Sequence, residues 1–280
     1  GYPCCTSNMH QGWPKFTQSL WYATDDNGVA ALVYSPSKVS LKVANGVSVN
    51  IEEKTFYPFD EKIQFLITFN QNSKSARFPF HLRIPKWCKA PEMTINGKPV
   101  KPKINSGIAI IEKEWGNGDV LNLRLPMSIE LSNWHERSVA VERGPLLYAL
   151  KIDEIKETKT FTQDESKYGT GYTTYSPGSD WNYGLLEFAI KDIDTHFKTI
   201  KVQTPMKSYP WTQKNTPIQI HTIAKKINSW KLYNQMAGPQ PYGRMIYGTK
   251  SMHEQPEELI TLIPFGCTKL RIAEFPVINN

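Results

Sequence analysis

The chain has 280 residues, of which 40% are hydrophobic and 12% aromatic, a composition typical of a folded globular protein and not of a disordered one. Its formal net charge of +7 comes from basic residues dispersed among apolar and acidic ones, which indicates solubility and argues against nucleic-acid binding. No apolar run approaches the roughly 18 residues that a membrane span needs. The sequence therefore predicts no nucleic-acid partner and no membrane span.

A helix is predicted near the start of the chain. Met9, Trp13, Phe16 and Leu20 recur at the spacing of one helical face. Pro14 interrupts this pattern, because proline is tolerated only in the first turn of a helix. We therefore expect a helix that restarts with Pro14 near its first position.

The rest of the chain predicts β-strands. Short runs rich in β-branched and aromatic residues are separated by turn residues. In the first half these runs are 29–34, 39–43, 47–52, 62–69, 80–84, 93–95, 98–100, 108–113 and 120–125. In the second half they are 138–141, 146–150, 187–190, 200–203, 218–224, 259–263 and 269–277. Many short strands at this spacing are typical of a β-sandwich or barrel, and we predict an all-β fold of two β-sandwiches behind one short helix.

Three connections stand out between these runs. Asn96-Gly97 is a strong signal for a two-residue hairpin turn. The segment 116–119 predicts a second hairpin, which would join 108–113 to 120–125. Residues 160–184 predict a long polar loop that carries several Tyr and Trp side chains.

Cys4 and Cys5 are the residues that most directly suggest chemistry. Two adjacent thiols can share one metal at a bend, and zinc binds thiolates in a tetrahedral site that needs further ligands. The alternative is a pair of half-buried structural thiols. Cys88 and Cys267 stand alone, and we interpret both as small buried residues and not as a disulfide.

Several short motifs follow one another along the chain. They are CCTSNMHQGWPKF at 4–16, RIPKW at 83–87, ING at 95–97, Trp115 with Gly118-Asp119, VERGPLLY at 141–148, WNYGL at 181–185 and LRI at 270–272. In this order they resemble the β-L-arabinofuranosidase family, which is glycoside hydrolase family 127 and its relatives. The resemblance is fairly specific at the cysteine pair, and the other motifs are persuasive together.

The resemblance implies a zinc-dependent glycosidase with an (α/α)6 barrel followed by β-sandwich domains. By position, Cys4 would be the nucleophile and a zinc ligand, and Cys5 a second zinc ligand. The reaction implied is retaining hydrolysis through a covalent glycosyl–thioether, with a Glu as acid/base. The carbohydrate partner would be an L-arabinofuranose-type plant glycan, and the implied compartment is periplasmic or secreted by analogy.

The resemblance also divides the chain. Residues 1–22 would be a remnant of the catalytic barrel, 23–136 plus 266–280 the first sandwich, and 137–265 the second. The family places its other zinc ligands and its acid/base Glu upstream of the cysteine motif, so we expect this chain to be inactive and to bind Zn²⁺ weakly or not at all. The apolar face of the remnant helix, exposed without a barrel, offers a surface for a homodimer.

His10, Trp181 and Tyr183 are the predicted substrate-binding residues. Trp and Tyr rings offer apolar faces to sugar C–H groups and polar edges to hydroxyls. The alternative for Trp181 and Tyr183 is that they fill a gap in the packing. A second functional class also stays open, in which the sandwiches form a non-catalytic carbohydrate-binding or interaction module.

Overall fold

The computed structural model describes residues 8–70, 73–161, 169–202, 209–242, 246 and 255–279. The chain forms two compact units, the first ending at Met127 and the second beginning at Ser128. Both consist mainly of strands, so the predicted all-β class is confirmed. None of the helices within these ranges is long and apolar enough to span a membrane.

The predicted helix is present as α1 (Gly12–Gln18), with Pro14 in its first turn, where the missing N–H leaves no helical bond unmade. Its last turn closes when the Ser19 N–H donates to the Phe16 carbonyl at 3.0 Å. None of the α1 residues is buried. That this helix is a barrel remnant stays a prediction.

The first unit is a sandwich of two sheets. One sheet contains β1 (Trp21–Ala23), β2 (Val29–Ala31), β6 (Ser75–Arg83), β9 (Ile104–Asn105) and β10 (Ile108–Gly116), in the order β1-β2-β6-β10-β9. The other contains β3 (Ser37–Val43), β4 (Val47–Thr55), β5 (Lys62–Phe69), β7 (Glu92–Ile95), β8 (Lys98–Val100) and β11 (Val120–Arg124), in the order β3-β4-β5-β11-β7-β8.

Alternation along these strands builds the sandwich core. In β5, Ile63, Phe65 and Ile67 are buried, while the residues between them point outward. Trp115 lies among the aromatic rings of this core, with its ring centroid 5.9 Å from those of Phe78 and Phe80. The core cluster draws residues from both sheets.

The glycine before β2 is required by close packing of two backbones. Strand β2 runs parallel to β6, and a Cβ on Gly28 would lie 2.2 Å from the carbonyl oxygen of Pro79. No side chain fits at that distance, so any residue other than glycine would push β2 away from β6.

The hairpin at Asn96-Gly97 is confirmed, because β7 and β8 pair across it and both turn residues have positive φ. The second predicted hairpin is wrong. Strand β10 pairs with β6 and β9, whereas β11 pairs with β5 and β7, so segment 116–119 carries the chain from one sheet to the other. A tight turn fixes the local chain reversal, but it does not decide which strands pair.

The second unit is built on one large sheet. Its strands are β12 (Ile129–Asn133), β13 (Ser138–Arg143), β14 (Leu146–Leu150), β17 (Tyr183–Leu186), β18 (Lys198–Lys201), β19 (Ile218–Lys226), β22 (Glu257–Pro264) and β23 (Glu274–Ile278). Two hairpins lie outside it, β15 (Glu154–Thr160) with β16 (Gly171–Pro177) and β20 (Leu232–Tyr233) with β21 (Met236–Ala237).

The large sheet closes on itself. Its pairings run β13-β14-β22-β19-β17-β23, and β23 then pairs with β13. Strand β23 uses residues 138–140 of β13, and β14 uses residues 141–143. The sequence predicts a sandwich here, and the structure instead shows one sheet whose pairings form a closed circuit, which short-strand patterns do not distinguish from a sandwich.

The predicted division of the chain is corrected in two places. Strand β12 pairs with β13 of the second unit, so the first unit ends near residue 127 and not at 136. Strand β23 completes the second unit through β13 and β17, so residues 266–280 do not return to the first sandwich.

Two local predictions are also corrected. Residues 187–190 form a short helix, α2 (Glu187–Lys191), followed by α3 (Ile193–His196), and not a strand. Part of the predicted aromatic loop is strand β16, which pairs with β15; residues 162–168 of that loop lie outside the described ranges.

Candidate functional site

Cys4, the predicted nucleophile and zinc ligand, and Cys5, the predicted second zinc ligand, lie outside the described residues, and their roles stay predictions. His10 is described and exposed. Within the described ranges, no group of three or more His, Cys, Asp or Glu side chains is arranged to hold a metal ion. Cys88 and Cys267 are buried free thiols, as predicted.

The segment after the cysteine pair exposes large apolar side chains. Met9 is 77% exposed and Trp13 is 74% exposed. Trp13 makes an edge-to-face contact with Phe16, with 5.9 Å between the ring centroids. Exposed clusters of this kind are uncommon on an isolated soluble surface and mark interaction sites.

Trp181 lines a cleft of the second unit, with a volume of ≈ 560 Å³. Hairpins β15–β16 and β20–β21 contribute to its walls, and so does the segment 269–272. Tyr175 and Met236 add apolar surface, and the charged lining residues are mostly basic. An aromatic cleft of this size is within the usual range for small-molecule sites.

Trp181 is held in place by the ring of Trp230. Its ring lies against Trp230, with 5.2 Å between the centroids and an angle of 70° between the planes. Trp230 is itself buried, and its Nε1–H donates to the Gly238 carbonyl at 2.8 Å. Trp181 therefore both packs and lines the cleft, so the packing and the sugar-contact interpretations are compatible.

Asn182 fixes the backbone on which Trp181 sits, and sequence reasoning missed this role. The buried amide Nδ2 donates to the carbonyls of Ile227 at 2.8 Å and Trp230 at 3.2 Å. In return, the Ile227 N–H donates to the Asn182 carbonyl at 2.7 Å. The sequence signal for this anchoring role is an amide residue placed between two large aromatic residues, Trp181 and Tyr183.

We expect Asn182→Ala to destabilise the second unit by about 2 kcal/mol, because two buried hydrogen bonds are lost. The Trp230 carbonyl loses its side-chain donor, and the Ile227 carbonyl keeps only the bond from the Trp230 N–H. Near-ultraviolet circular dichroism should weaken at the same time, since Trp181 and Trp230 lose their fixed geometry. Urea unfolding measures the first effect. The control is Asn105→Ala at an exposed position, expected to change stability by less than about 0.5 kcal/mol. Equal stability of the two variants would contradict the assigned role of Asn182.

Tyr183 does not reach the same cleft. It is 7% exposed, and its hydroxyl donates to Oε2 of Glu258 at 2.7 Å. Burial, and then the hydrogen bond and charge of Glu258, raise the pKa of Tyr183 well above its usual value. Tyr183 lines a separate cavity of ≈ 460 Å³ next to Asp180, which pairs with Lys226 at 2.6 Å. The predicted substrate residues Trp181 and Tyr183 are therefore not brought together.

The first unit contains a buried carboxyl group that the sequence analysis did not single out. Glu53 is 2% exposed, and its oxygens accept from the Ser35 N–H at 3.0 Å and the Ser37 hydroxyl at 3.4 Å. Burial raises the pKa of Glu53 to about 8. The signal was its position, since Val49, Ile51 and Glu53 occupy the core-facing sites of β4.

Glu53 also lines a groove of ≈ 840 Å³ on the first unit. The other charged side chains there include Glu52, which pairs with Lys38 at 3.3 Å and Lys54 at 3.7 Å. Glu52 is thus paired with two lysines, and the groove is open to solvent. We assign it no chemistry.

The described residues form an all-β protein that consists of a two-sheet sandwich and a unit built on one closed sheet. The Trp181 cleft lies in the second unit. Residues 28–127 match the family description "Beta-L-arabinofuranosidase, GH127 middle domain". The match covers nearly all the strands of the first unit. Residues 28–127 are therefore similar to the middle domain of glycoside hydrolase family 127, the family that the sequence motifs resemble.

Known proteins extend this similarity to the second unit. The chain is 25% identical over 195 residues to the non-reducing end β-L-arabinofuranosidase of Bifidobacterium longum subsp. longum, which is 67% of this chain and 26% of that protein. Ara127N-Se, a GH127 β-L-arabinofuranosidase from Geobacillus stearothermophilus T6, superposes with a TM-score of 0.63 at 22% identity. That alignment covers 99% of this chain and 37% of the other.

A second structure, the GH127 β-arabinofuranosidase BT3674, superposes with a TM-score of 0.65 at 19% identity and covers 98% of this chain and 38% of its own. These two structural likenesses show a shared fold. The chain spans about a quarter of the curated relative and less than two fifths of each solved structure.

Proposed function

We propose that this chain is the β-rich part of a zinc-dependent, retaining glycosidase of the β-L-arabinofuranosidase type. The observation that carries the proposal is the match of residues 28–127 to the GH127 middle domain. The curated relative, named as a non-reducing end β-L-arabinofuranosidase, supports an L-arabinofuranose-type glycan as the substrate.

In this proposal Cys4 and Cys5 are zinc ligands, which their chemistry fits because zinc prefers thiolate donors. A structural or catalytic zinc site takes three or four protein ligands, so two thiols are half of a site. No cluster in the described ranges supplies the remainder. When bound, zinc would lower the pKa of a coordinated thiol and keep it as thiolate.

The proposed reaction is a double displacement in which Cys4 is the nucleophile. The Cys4 thiolate attacks the anomeric carbon, the glycosidic C–O bond breaks, and a carboxylic acid protonates the leaving oxygen. Water, deprotonated by the same carboxylate, then displaces the sulfur and restores the thiolate. Two inversions give retention of configuration.

We further propose that the 280-residue chain alone does not catalyse this reaction. Support comes from the small share of its relatives that it spans, and from the lack of a metal-binding cluster within the described ranges. The acid/base carboxyl would belong to the rest of the glycosidase.

The test is zinc content by elemental analysis together with thiol titration of the native chain. We expect less than one zinc per chain, and two of the four cysteines reacting quickly, because burial protects Cys88 and Cys267 and raises the pKa of both thiols. Cys4→Ser should leave one reactive thiol, whereas the control Cys88→Ser should leave two.

Stoichiometric zinc that protects Cys4 and Cys5 would contradict the half-site. Hydrolysis of a chromogenic β-L-arabinofuranoside by the isolated chain would contradict its inactivity. Zinc content and hydrolysis are measured separately on the same purified protein, so either part of the proposal can fail without the other.

A second candidate, a carbohydrate-binding module without catalysis, is favoured by one observation. The Trp181 cleft combines aromatic and charged side chains in a unit that contains no metal-binding cluster among its described residues. Glycan binding that persists in a metal chelator would support this candidate for the second unit.

A further inference from the structure

We propose that the Trp181 cleft of the second unit binds an acidic oligosaccharide, one whose sugar rings carry carboxylates. The proposal rests on the proposed function only for the choice of a saccharide as the ligand class. The charge of the ligand follows from the cleft itself.

The apolar part of the cleft fits the C–H faces of sugar rings. Trp181 and Tyr175 are half-buried at its surface, so each is held by the protein and still reachable. Leu232 and Met236 on the β20–β21 hairpin are 51% and 68% exposed. Large side chains on a short exposed hairpin are not needed by the sheet core, and they offer contact surface to a ligand.

The charged part of the cleft favours an anion. Its charged lining residues are Lys159, Lys269 and Arg271, against Glu157 alone. Lys159 and Glu157 lie 3.6 Å apart, and both are exposed, so this ion pair is weak. Two cations therefore remain without a carboxylate partner among the residues that line the cleft.

Arg271 is held in a fixed orientation. Its Nε–H donates to the Thr268 carbonyl at 3.0 Å, and its guanidinium lies over the Phe265 ring at 4.6 Å from the centroid. The two terminal nitrogens make no bond to the described residues and can donate to a planar carboxylate. A guanidinium held by a ring and a carbonyl loses little freedom when it binds.

Lys269 is placed by its backbone. Its N–H donates at 2.7 Å to Oε1 of Glu154, which also accepts from the hydroxyl of Thr268 and the amide of Gln213. Glu154 is thus engaged by neutral donors, and the Lys269 side chain stays exposed. Its ammonium group is a second cation on the same cleft lining and can meet another carboxylate of the ligand.

The test is calorimetric titration of the whole 280-residue chain with trigalacturonate and, as the matched neutral ligand, a galactose trisaccharide. Chelator is present throughout. At about 50 mM salt we expect the acidic trisaccharide to bind at least about tenfold more tightly, and this preference to shrink several-fold at about 0.5 M salt because ions screen exposed charges. Equal binding of both sugars, or binding of neither, would overturn the proposal.

Variants locate the site. Lys159→Gln with Lys269→Gln should weaken trigalacturonate binding about fivefold without unfolding the protein, since both side chains are exposed. The control Lys98→Gln, exposed on the first unit, should not change it. Trp181→Phe keeps an aromatic ring against Trp230 and should weaken both ligands alike. Unchanged binding in the double lysine variant would overturn the assignment to this cleft.

These results are independent of the zinc proposal. Chelator removes any zinc that Cys4 and Cys5 could hold, so loss of glycan binding in the cleft variants does not depend on a metal site. A failed zinc measurement would likewise leave the glycan titration unchanged.

Discussion

Trp115→Ala is expected to destabilise the first unit by about 3–5 kcal/mol, a large part of the stability of a small domain. Trp115 has no exposed surface, and its ring contacts Phe78 and Phe80. Its Nε1–H also donates to the Phe78 carbonyl at 3.0 Å, so the substitution both leaves a cavity and removes a buried hydrogen bond. Few single substitutions in this unit should cost more.

Hydrogen exchange measured by mass spectrometry can test this prediction unit by unit. Peptides from β6 and β10 should lose protection strongly in Trp115→Ala, because these strands flank the cavity. Trp115→Phe should cost about 1–2 kcal/mol, since it keeps most of the ring and loses the N–H donor. The control is Trp134→Ala, at a position 61% exposed, where we expect little change. A small effect at Trp115 would mean that the two sheets do not depend on this ring.

The sandwich of the first unit could be predicted in part from the sequence because its strands alternate strictly. The burial of Ile63, Phe65 and Ile67 follows directly from a period of two residues. The turn at Asn96-Gly97 could be predicted because both residues need a positive φ. These are local properties, and local chemistry decides them.

Pairing between distant strands could not be predicted in the same way. The segment 116–119 looks like a hairpin turn, yet β10 and β11 belong to different sheets. Strand β23 pairs with β13, which lies more than a hundred residues earlier in the sequence. It also pairs with β17, which lies about ninety residues earlier. Residues on both faces of β23 are buried, and this pattern does not indicate which strands pair with it.

The candidate site shows the same limit. Trp181 could be predicted as a contact residue because it lies in an aromatic segment between predicted strands. Its cleft could not be predicted, because the walls come from two hairpins that sequence patterns do not place side by side. If Trp181 and Tyr183 lay on one strand, they would share a face, because they are two residues apart. Strand β17 begins at Tyr183, so Trp181 lies outside it. Asn182 anchors the chain just before the strand, so the two rings enter different cavities.

The second large effect is a dependence of stability on pH that comes from Glu53. Burial gives this carboxyl a pKa of about 8 in the folded chain, against 4.5 for an unperturbed group. Below about pH 4.5 the carboxyl is protonated in both states, and its contribution to stability is fully present. As the pH rises, the unfolded chain ionises first, so stability is lost progressively until about pH 8 and then stays constant.

We expect the free energy of unfolding of the first unit to fall by about 2–4 kcal/mol from this group alone between pH 4.5 and 8.5. Glu53→Gln should remove most of that loss and be more stable than the parent chain at pH 8.5, because an amide stays neutral. The Gln oxygen can accept from the Ser35 N–H, and its NH₂ can donate to the Ser37 hydroxyl. That hydroxyl already accepts from Nε1 of Trp21 at 3.0 Å and has a second lone pair.

Urea unfolding at several pH values, compared between Glu53→Gln and the parent chain, measures this effect. The matched control is Glu52→Gln on the same strand, where the carboxylate is partly exposed and pairs with Lys38 and Lys54. Glu52→Gln should change the free energy of unfolding slightly and by the same amount at each pH, so the slope between pH 5 and 8 stays that of the parent chain. If the Glu53→Gln profile ran parallel to that of the parent chain, Glu53 would have to be ionised in the folded state. The Ser35 and Ser37 donors would then stabilise a buried carboxylate more strongly than burial destabilises it.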